Sequence, residues 1–236
     1  MGAMAASIPL NNTCWLRLMA VEDGLPMRRI LRTLWENLRE ELIRSGIHTV
    51  AVLIVNDWLS PIMSMLDFDL SENIITLRRE GRFLPHPRFA PRSIHIAEFT
   101  DLVQMTKVDQ SAFHAPWQLN YEDLRQAMRI SAHCTVVIEN NKVIAYQLST
   151  QYRKNGHLAR LAVLPEYQGQ GLGGLLLDNL IRRFMKRGVV SITVNTQESN
   201  HHSQRLYERY GFKRNGYDLP VWLSSLSPDE DTSNNE

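Results

Sequence analysis

Residues 168–174 read Gln168-Gly169-Gln170-Gly171-Leu172-Gly173-Gly174 and stand directly before a run of helical periodicity. Glycines at this density let a backbone pass close to a ligand, and the free amides of a helix N-terminus attract an anion. A pyrophosphate suits such a turn. The lysine of a P-loop is missing, so that pattern is excluded. Gly169, Gly171 and Gly174 do satisfy the dinucleotide-binding spacing, and Glu198 follows near where a ribose-binding acid would stand. Context argues against that reading. A dinucleotide-binding unit opens a run of parallel β–α–β units, whereas an antiparallel hairpin is expected before this turn. Only 38 residues follow Glu198, too few to finish a doubly wound sheet.

Other side chains carry weaker signals. His201 and His202 are neighbours at a helix start with no further ligand beside them, so no metal is expected. Arg182, Arg183, Lys186 and Arg187 close a helix, where cations suit the dipole, and could secondarily meet a phosphate. Phe113, Trp117, Tyr152 and Tyr217 read either as core or as the lining of an acceptor cleft. The 236-residue chain has ordinary globular composition, 44% hydrophobic and 22% charged, with a formal charge of +1. It has no dense Lys/Arg block, so no nucleic-acid partner is expected. Cys14 and Cys134 are the only cysteines, which fits a reducing compartment and offers no disulfide framework. No apolar run reaches the roughly 18 residues of a membrane helix, and a signal peptide's basic start is missing. A cytoplasmic protein without a membrane partner is the expectation.

The elements that must position the turn follow from periodicity. Residues 1–12, beginning Met1-Gly2-Ala3-Met4, are set aside as a flexible N-terminus. Residues 13–80 read strand, helix, strand, helix, strand. In that first helix Met27, Ile30, Leu31, Leu34, Trp35, Leu38 and Leu42 share a face between Pro26 and Gly46. Residues 81–93 hold Pro85, Pro87 and Pro91 and read as a linker. Residues 94–224 form the longest organised stretch. They include a hairpin around Glu139-Asn140-Asn141-Lys142, a strand to Val163, the glycine turn, and a helix with Leu172, Leu176, Leu180, Ile181 and Phe184 on one face. Residues 225–236 are polar and acidic and are expected to be disordered. There is also an internal echo. Trp15-Leu16-Arg17-Leu18 parallels Leu158-Ala159-Arg160-Leu161, and Gly46 to Phe68 parallels Gly188 to Phe212. In the earlier copy Gly24 is the only turn glycine, and Met63 stands where the later copy has Tyr207. Two unrelated β–α–β units remain the alternative.

Gln168, Gly171 and Gly173 match the Gln/Arg-x-x-Gly-x-Gly/Ala signature of the GNAT superfamily of acyl-CoA N-acyltransferases, which the chain resembles over residues 94–223. The stretch from Arg160 to Tyr167 is similar to the family's fourth strand and its exit. Asn200, Tyr207 and Gly211-Phe212 are similar to its Asn…Leu-Tyr…Gly-Phe element. The resemblance implies an α/β fold with a mixed twisted sheet, preceded here by a smaller, degenerate GNAT-like half. It implies acetyl-CoA as cosubstrate, no metal, and a primary amine as acceptor: a protein N-terminus, a lysine or a small metabolite.

Roles carried over by resemblance are specific. Backbone groups of Leu161, Ala162 and Val163 would pair with pantetheine, and the Val163 amide would polarise the thioester carbonyl. Amides of Gly169, Gln170, Gly171, Leu172, Gly173 and Gly174 would hold the pyrophosphate, Asn200 would touch pantetheine, and Tyr207 would protonate the departing thiolate. The family's general base is often a strand glutamate. Here His157 stands at one such position, and Asn195 replaces the glutamate used by ribosomal-protein N-terminal acetyltransferases. Glu198 or water remains open as base. An imidazole base favours weakly basic amines: a proton taken from an α-amine costs about 2 kcal/mol, against about 5 kcal/mol from lysine. A CoA-binding module without turnover is the alternative function, and the N-terminal segment is expected to act by packing or homodimerisation.

Overall fold

A computed structural model of the chain describes residues 1–55, 59–86 and 92–226. The chain divides into two compact units, Met1–Asn73 with Leu219–Glu236, and Ile74–Asp218. In the first unit β1 (Gly2–Ala6), β2 (Thr13–Val21), α1 (Met27–Arg44), β3 (Thr49–Leu53) and α2 (Ser60–Met65) follow in order. β1 pairs antiparallel with β2, β2 runs parallel to β3, and Val221 to Ser225 pair antiparallel with β3. Leu31, Trp35 and Leu42 of α1 are buried, and Trp35 lies 4.8 Å from the Phe68 ring. Within residues 1–12, expected to be flexible, Gly2–Ala6 forms a strand instead. Gly2–Ala6 has no strand propensity of its own, but β2 offers it a complete ladder from Val21 to Leu16.

The second unit contains the later part of β4 (Asp69–Glu80), then β5 (Ile94–Ile96), α3 (Leu102–Ala112), α4 (Tyr121–Ile130), β6 (His133–Glu139), β7 (Lys142–Tyr152), β8 (Asn155–Val163), α5 (Leu172–Lys186), β9 (Ser191–Gln197), α6 (His201–Arg209) and the start of β10 (Lys213–Ser225). Its strand order is β4-β9-β8-β7-β6-β5. β8 and β9 are parallel and the other neighbours antiparallel, so the sheet is mixed. The β6–β7 hairpin turns through Asn140 and Asn141 at φ 50° and 61°, the left-handed pair that a two-residue turn requires.

Unit boundaries fall elsewhere than composition suggests. Ile74 to Glu80 pairs with β9, so this strand joins the second unit rather than ending with residues 13–80. Conversely, Leu219 onward pairs with β3 and leaves the 94–224 stretch. Ladder partners, not chain order, decide membership. Of the linker, residues 87–91 lie outside the described residues, as do residues 227–236 of the tail. The linker's beginning is anchored, because buried Arg79 donates to the carbonyls of Tyr210, Gly81 and Phe83. Among the described residues, no helix is long and apolar enough to cross a membrane, and no three His, Cys, Asp or Glu side chains are grouped to hold a metal.

One irregularity organises the second unit. Leu158 sits opposite Ser149 and Arg160 opposite Leu148, so Ala159 is the extra residue of a β-bulge. Leu158 therefore faces the core under α5, while Arg160 reaches Asp109 of α3. Before the bulge, Gly156 lies against α5 so closely that an added Cβ would be 2.4 Å from the Phe184 ring. Gly156→Ala should therefore destabilise the fold by about 1–3 kcal/mol through overpacking. Urea melts of Gly156→Ala alone and combined with Phe184→Leu check this, since the smaller side chain should recover part of the loss.

Candidate active site

The pairing of β8 with β9 ends at Leu158, where the bulge begins. Beyond it the parallel strands no longer share a ladder. The Leu164 amide donates to the Ile144 carbonyl, which directs the even-numbered backbone groups toward β7. By alternation, the backbone groups of Leu161 and Val163 point the other way, toward the side that β9 has left. A strand edge of this kind is ready to pair with an extended ligand. A cavity of about 690 Å³ opens along it, lined by Leu161, Ala162 and Val163 on this side.

The cavity continues into the glycine turn. Gln168, Gly169, Gln170, Gly171, Leu172, Gly173 and Gly174 all line it. Gly169 and Gly171 adopt φ +75° and +85°, a left-handed backbone that side chains other than glycine disfavour. Gly171 is the N-cap of α5, so the next amides open into the turn without helical partners. Gly173 answers a different demand: an added Cβ would stand 3.2 Å from Leu206, so its lack of a side chain lets α5 pack against α6. The Gln168 side chain donates to the Val163 carbonyl at 3.1 Å and ties the turn to the strand edge.

Helix α6 supplies the facing wall. Asn200 caps it by accepting from the Ser203 amide at 3.1 Å and also lines the cavity. His202, Arg205 and Arg209 line it as well. Neither arginine belongs to the residues expected at the site, although their i, i+4 spacing on one helix face is a signal the sequence carries. Of the four aromatic candidates, Phe113 lines the cavity, while Trp117, Tyr152 and Tyr217 do not.

Two expected catalytic side chains stand outside the lining. Tyr207 is buried, with its ring 5.7 Å from that of Phe212, and its hydroxyl makes no hydrogen bond among the described residues. Burial pushes its phenol well above the usual range, with the Arg160 charge opposing, so the hydroxyl keeps its proton at neutral pH. His157 pairs with Thr193 across the parallel ladder, and its Nδ1 lies 2.9 Å from Thr193 Oγ1. Burial holds its imidazole below the usual value, with Thr193 working the other way. Alternation puts Asn195 on the same sheet face as Thr193 and His157. The Glu198 carboxylate is held by Arg214 at 2.8 Å, an ion pair that competes with service as a base.

A model of the acetyltransferase (GNAT) family matches residues 102–212. The [ribosomal protein bS18]-alanine N-acetyltransferase of Haemophilus influenzae is 31% identical over 128 residues, 52% of this chain and 86% of that protein. Its Escherichia coli K12 counterpart is 33% identical over 121 residues, 51% of this chain and 80% of that protein. The chain belongs to the GNAT acetyltransferase family. As a GNAT protein it is an acyltransferase, and solved structures extend the fold likeness beyond the matched segment. A GCN5-related N-acetyltransferase from Sphaerobacter thermophilus superposes with a TM-score of 0.65 at 15% identity, covering 95% of this chain and 76% of that one. A tandem GNAT protein from the clavulanic acid biosynthesis pathway does so with 0.60 at 18% identity, covering 97% and 80%.

Two histidines of this GNAT chain report on its stability, the buried His133 and the half-buried His157. His133 and His157 are both shifted down, His133 mainly by burial with Asn179 opposing. Both are neutral in the folded chain above the ordinary value near 6.5. Below it the unfolded chain takes up protons first, so stability should be complete above about pH 6.5 and fall as pH drops toward the folded values. Urea melts at several pH values check this, and His157→Gln should flatten the slope.

Proposed function

We propose that this GNAT enzyme transfers the acetyl group of acetyl-CoA to a primary amine, foremost the α-amine of a polypeptide N-terminus, by direct attack with both substrates bound. The observation that carries the reading is the unpaired edge at Leu161 and Val163, running straight into the glycine turn within one cavity. Pantetheine, an extended amide chain, suits the edge; pyrophosphate suits the amides of Gly169 to Gly174. Arg205 and Arg209 add positive charge where a ligand carrying several phosphates would need it. Asn200 keeps its side-chain amide donors for pantetheine while its oxygen caps α6. The relatives named as alanine N-acetyltransferases support an N-terminal α-amine as acceptor.

In this reading the Val163 amide polarises the thioester carbonyl, His157 takes the proton of the attacking amine, and Tyr207 returns one to the thiolate. A neutral imidazole with a depressed pKa is a weak base, which suits an α-amine better than a lysine. We also propose that the first unit is a degenerate copy of the second. Both contain a parallel pair joined by one long helix, β2–α1–β3 and β8–α5–β9, but only the second has the glycine turn and a tyrosine at the matching helix, where α2 has Met63.

Acetyl-CoA at 100 times its dissociation constant should raise stability by about 2.7 kcal/mol. Gly171→Glu should abolish the response by placing a strained, negatively charged residue in the turn. A thermal shift that NADH reproduces equally, or calorimetry showing two CoA sites per chain, would contradict these assignments.

Turnover is read as thiol release with an amine panel that includes an alanine-initiated peptide. Tyr207→Phe removes one oxygen and keeps the packed ring, so turnover should fall about 100- to 10,000-fold with acetyl-CoA affinity changed far less. A variant within about threefold of wild type would remove Tyr207 as the acid.

A further inference from the structure

At the bulged end of β8, outside the roles assigned above, lies a buried ion pair. Asp109 of α3 is 0% exposed. Its carboxylate accepts from Arg160 Nε at 2.7 Å and Nη2 at 2.8 Å, from the Tyr146 hydroxyl, and from the Leu119 amide at 2.7 Å. Arg160 Nη2 also donates to the Trp117 carbonyl at 2.6 Å. Its guanidinium carbon stands 3.6 Å from the centroid of the Phe113 ring. Three residues of the segment joining α3 to α4 thus hang on one charge pair: Phe113 by stacking, Trp117 by its carbonyl, Leu119 by its amide.

Stability is a poor reason for such a pair. Desolvating two charges offsets much of their attraction, and apolar side chains of similar volume commonly do as well. Placement is a better reason. Phe113 lines the cavity, and Arg160 immediately precedes Leu161, the first residue of the unpaired edge. The contact therefore ties the Phe113 wall to the strand edge within one residue. It does so where the unpaired edge begins, just past the bulge. In the acetyl-transfer reading the thioester carbonyl lies on the Val163 amide, so the acyl group and the incoming amine meet along this edge, beside the Phe113 wall.

We propose that Arg160 is a positioning residue for the acceptor: through Asp109 it fixes the 113–119 segment and so holds Phe113 as the wall against which the amine-bearing substrate binds. It touches no reacting atom. The inference rests on the acetyl-transfer reading. Lysine cannot replace the guanidinium here, because a point charge cannot meet both carboxylate oxygens and the Trp117 carbonyl while lying flat on Phe113.

The full chain is compared with Arg160→Lys and with the double variant Asp109→Asn/Arg160→Met, which removes both charges together and leaves none orphaned. Calorimetry gives the acetyl-CoA Kd; thiol release with an alanine-initiated peptide gives kcat and both KM values. Both variants should bind acetyl-CoA within about threefold of wild type, while the peptide KM rises about tenfold or more. An unchanged peptide KM overturns the proposal, as does a peptide KM that rises only in step with the acetyl-CoA Kd. If both variants melt below the assay temperature, the pair is a folding element and the proposal fails. A wild-type chain that binds acetyl-CoA yet acetylates no amine overturns the acetyl-transfer reading, and this proposal with it.

Discussion

The separation of β8 from β9 after Leu158 is the constraint on which the site depends. Parallel neighbours normally keep one ladder along their length, and a ladder leaves no backbone group free for a ligand. The extra residue Ala159 breaks the register with β7 and turns the next side chain to the opposite face. From that point Leu161 and Val163 have no strand beside them, and the Val163 carbonyl takes its partner from the Gln168 side chain. An edge of this kind can pair with an extended ligand. The same bulge aims Arg160 at Asp109, so the opening of the edge and the fixing of the Phe113 wall have one geometric origin.

Charge is distributed along the cavity in keeping with that geometry. At the turn, attraction for an anion comes from backbone amides at the start of α5 and from the two arginines of α6. At the other end, the Arg160 charge is committed to a buried carboxylate, so the wall presents an aromatic ring rather than a free cation. Tyr207 is buried and His157 half-buried, and loss of water drives each toward its neutral form, raising the phenol and lowering the imidazole. These are the states that the proposed acid and the proposed base would need.

Each unit contains a parallel pair joined by an amphipathic helix. In each, the following short helix buries a side chain, and the proposed kinship of the two units makes these two correspond. In the second unit that side chain is Tyr207, which carries a hydroxyl; in the first it is Met63, which has only packing to offer. With Gly24 alone at its turn, the first unit also lacks a run of open amides. Its apolar face is spent on a core of Leu31, Trp35, Val50, Val52, Met63 and Phe68.

The sequence by itself determined the family, the glycine turn, and the strand and helix order from Ile94 to Arg209. These rest on local features: glycine tolerates a positive φ, apolar spacing marks a helix face, and Asn140-Asn141 closes a hairpin. It also pointed to the residues that gather along the cavity, from Leu161 to Gly174 and Asn200. Only the tertiary structure decided which strands share a unit, because β4 and β10 follow ladder partners far away in the chain. It turned Gly2–Ala6 into a strand for the same reason, since a weak segment takes its conformation from β2. It also showed Arg160 bound to Asp109, fifty-one residues earlier. That pairing depends on a bulge and on a helix packed over the sheet, and no spacing along the chain encodes either.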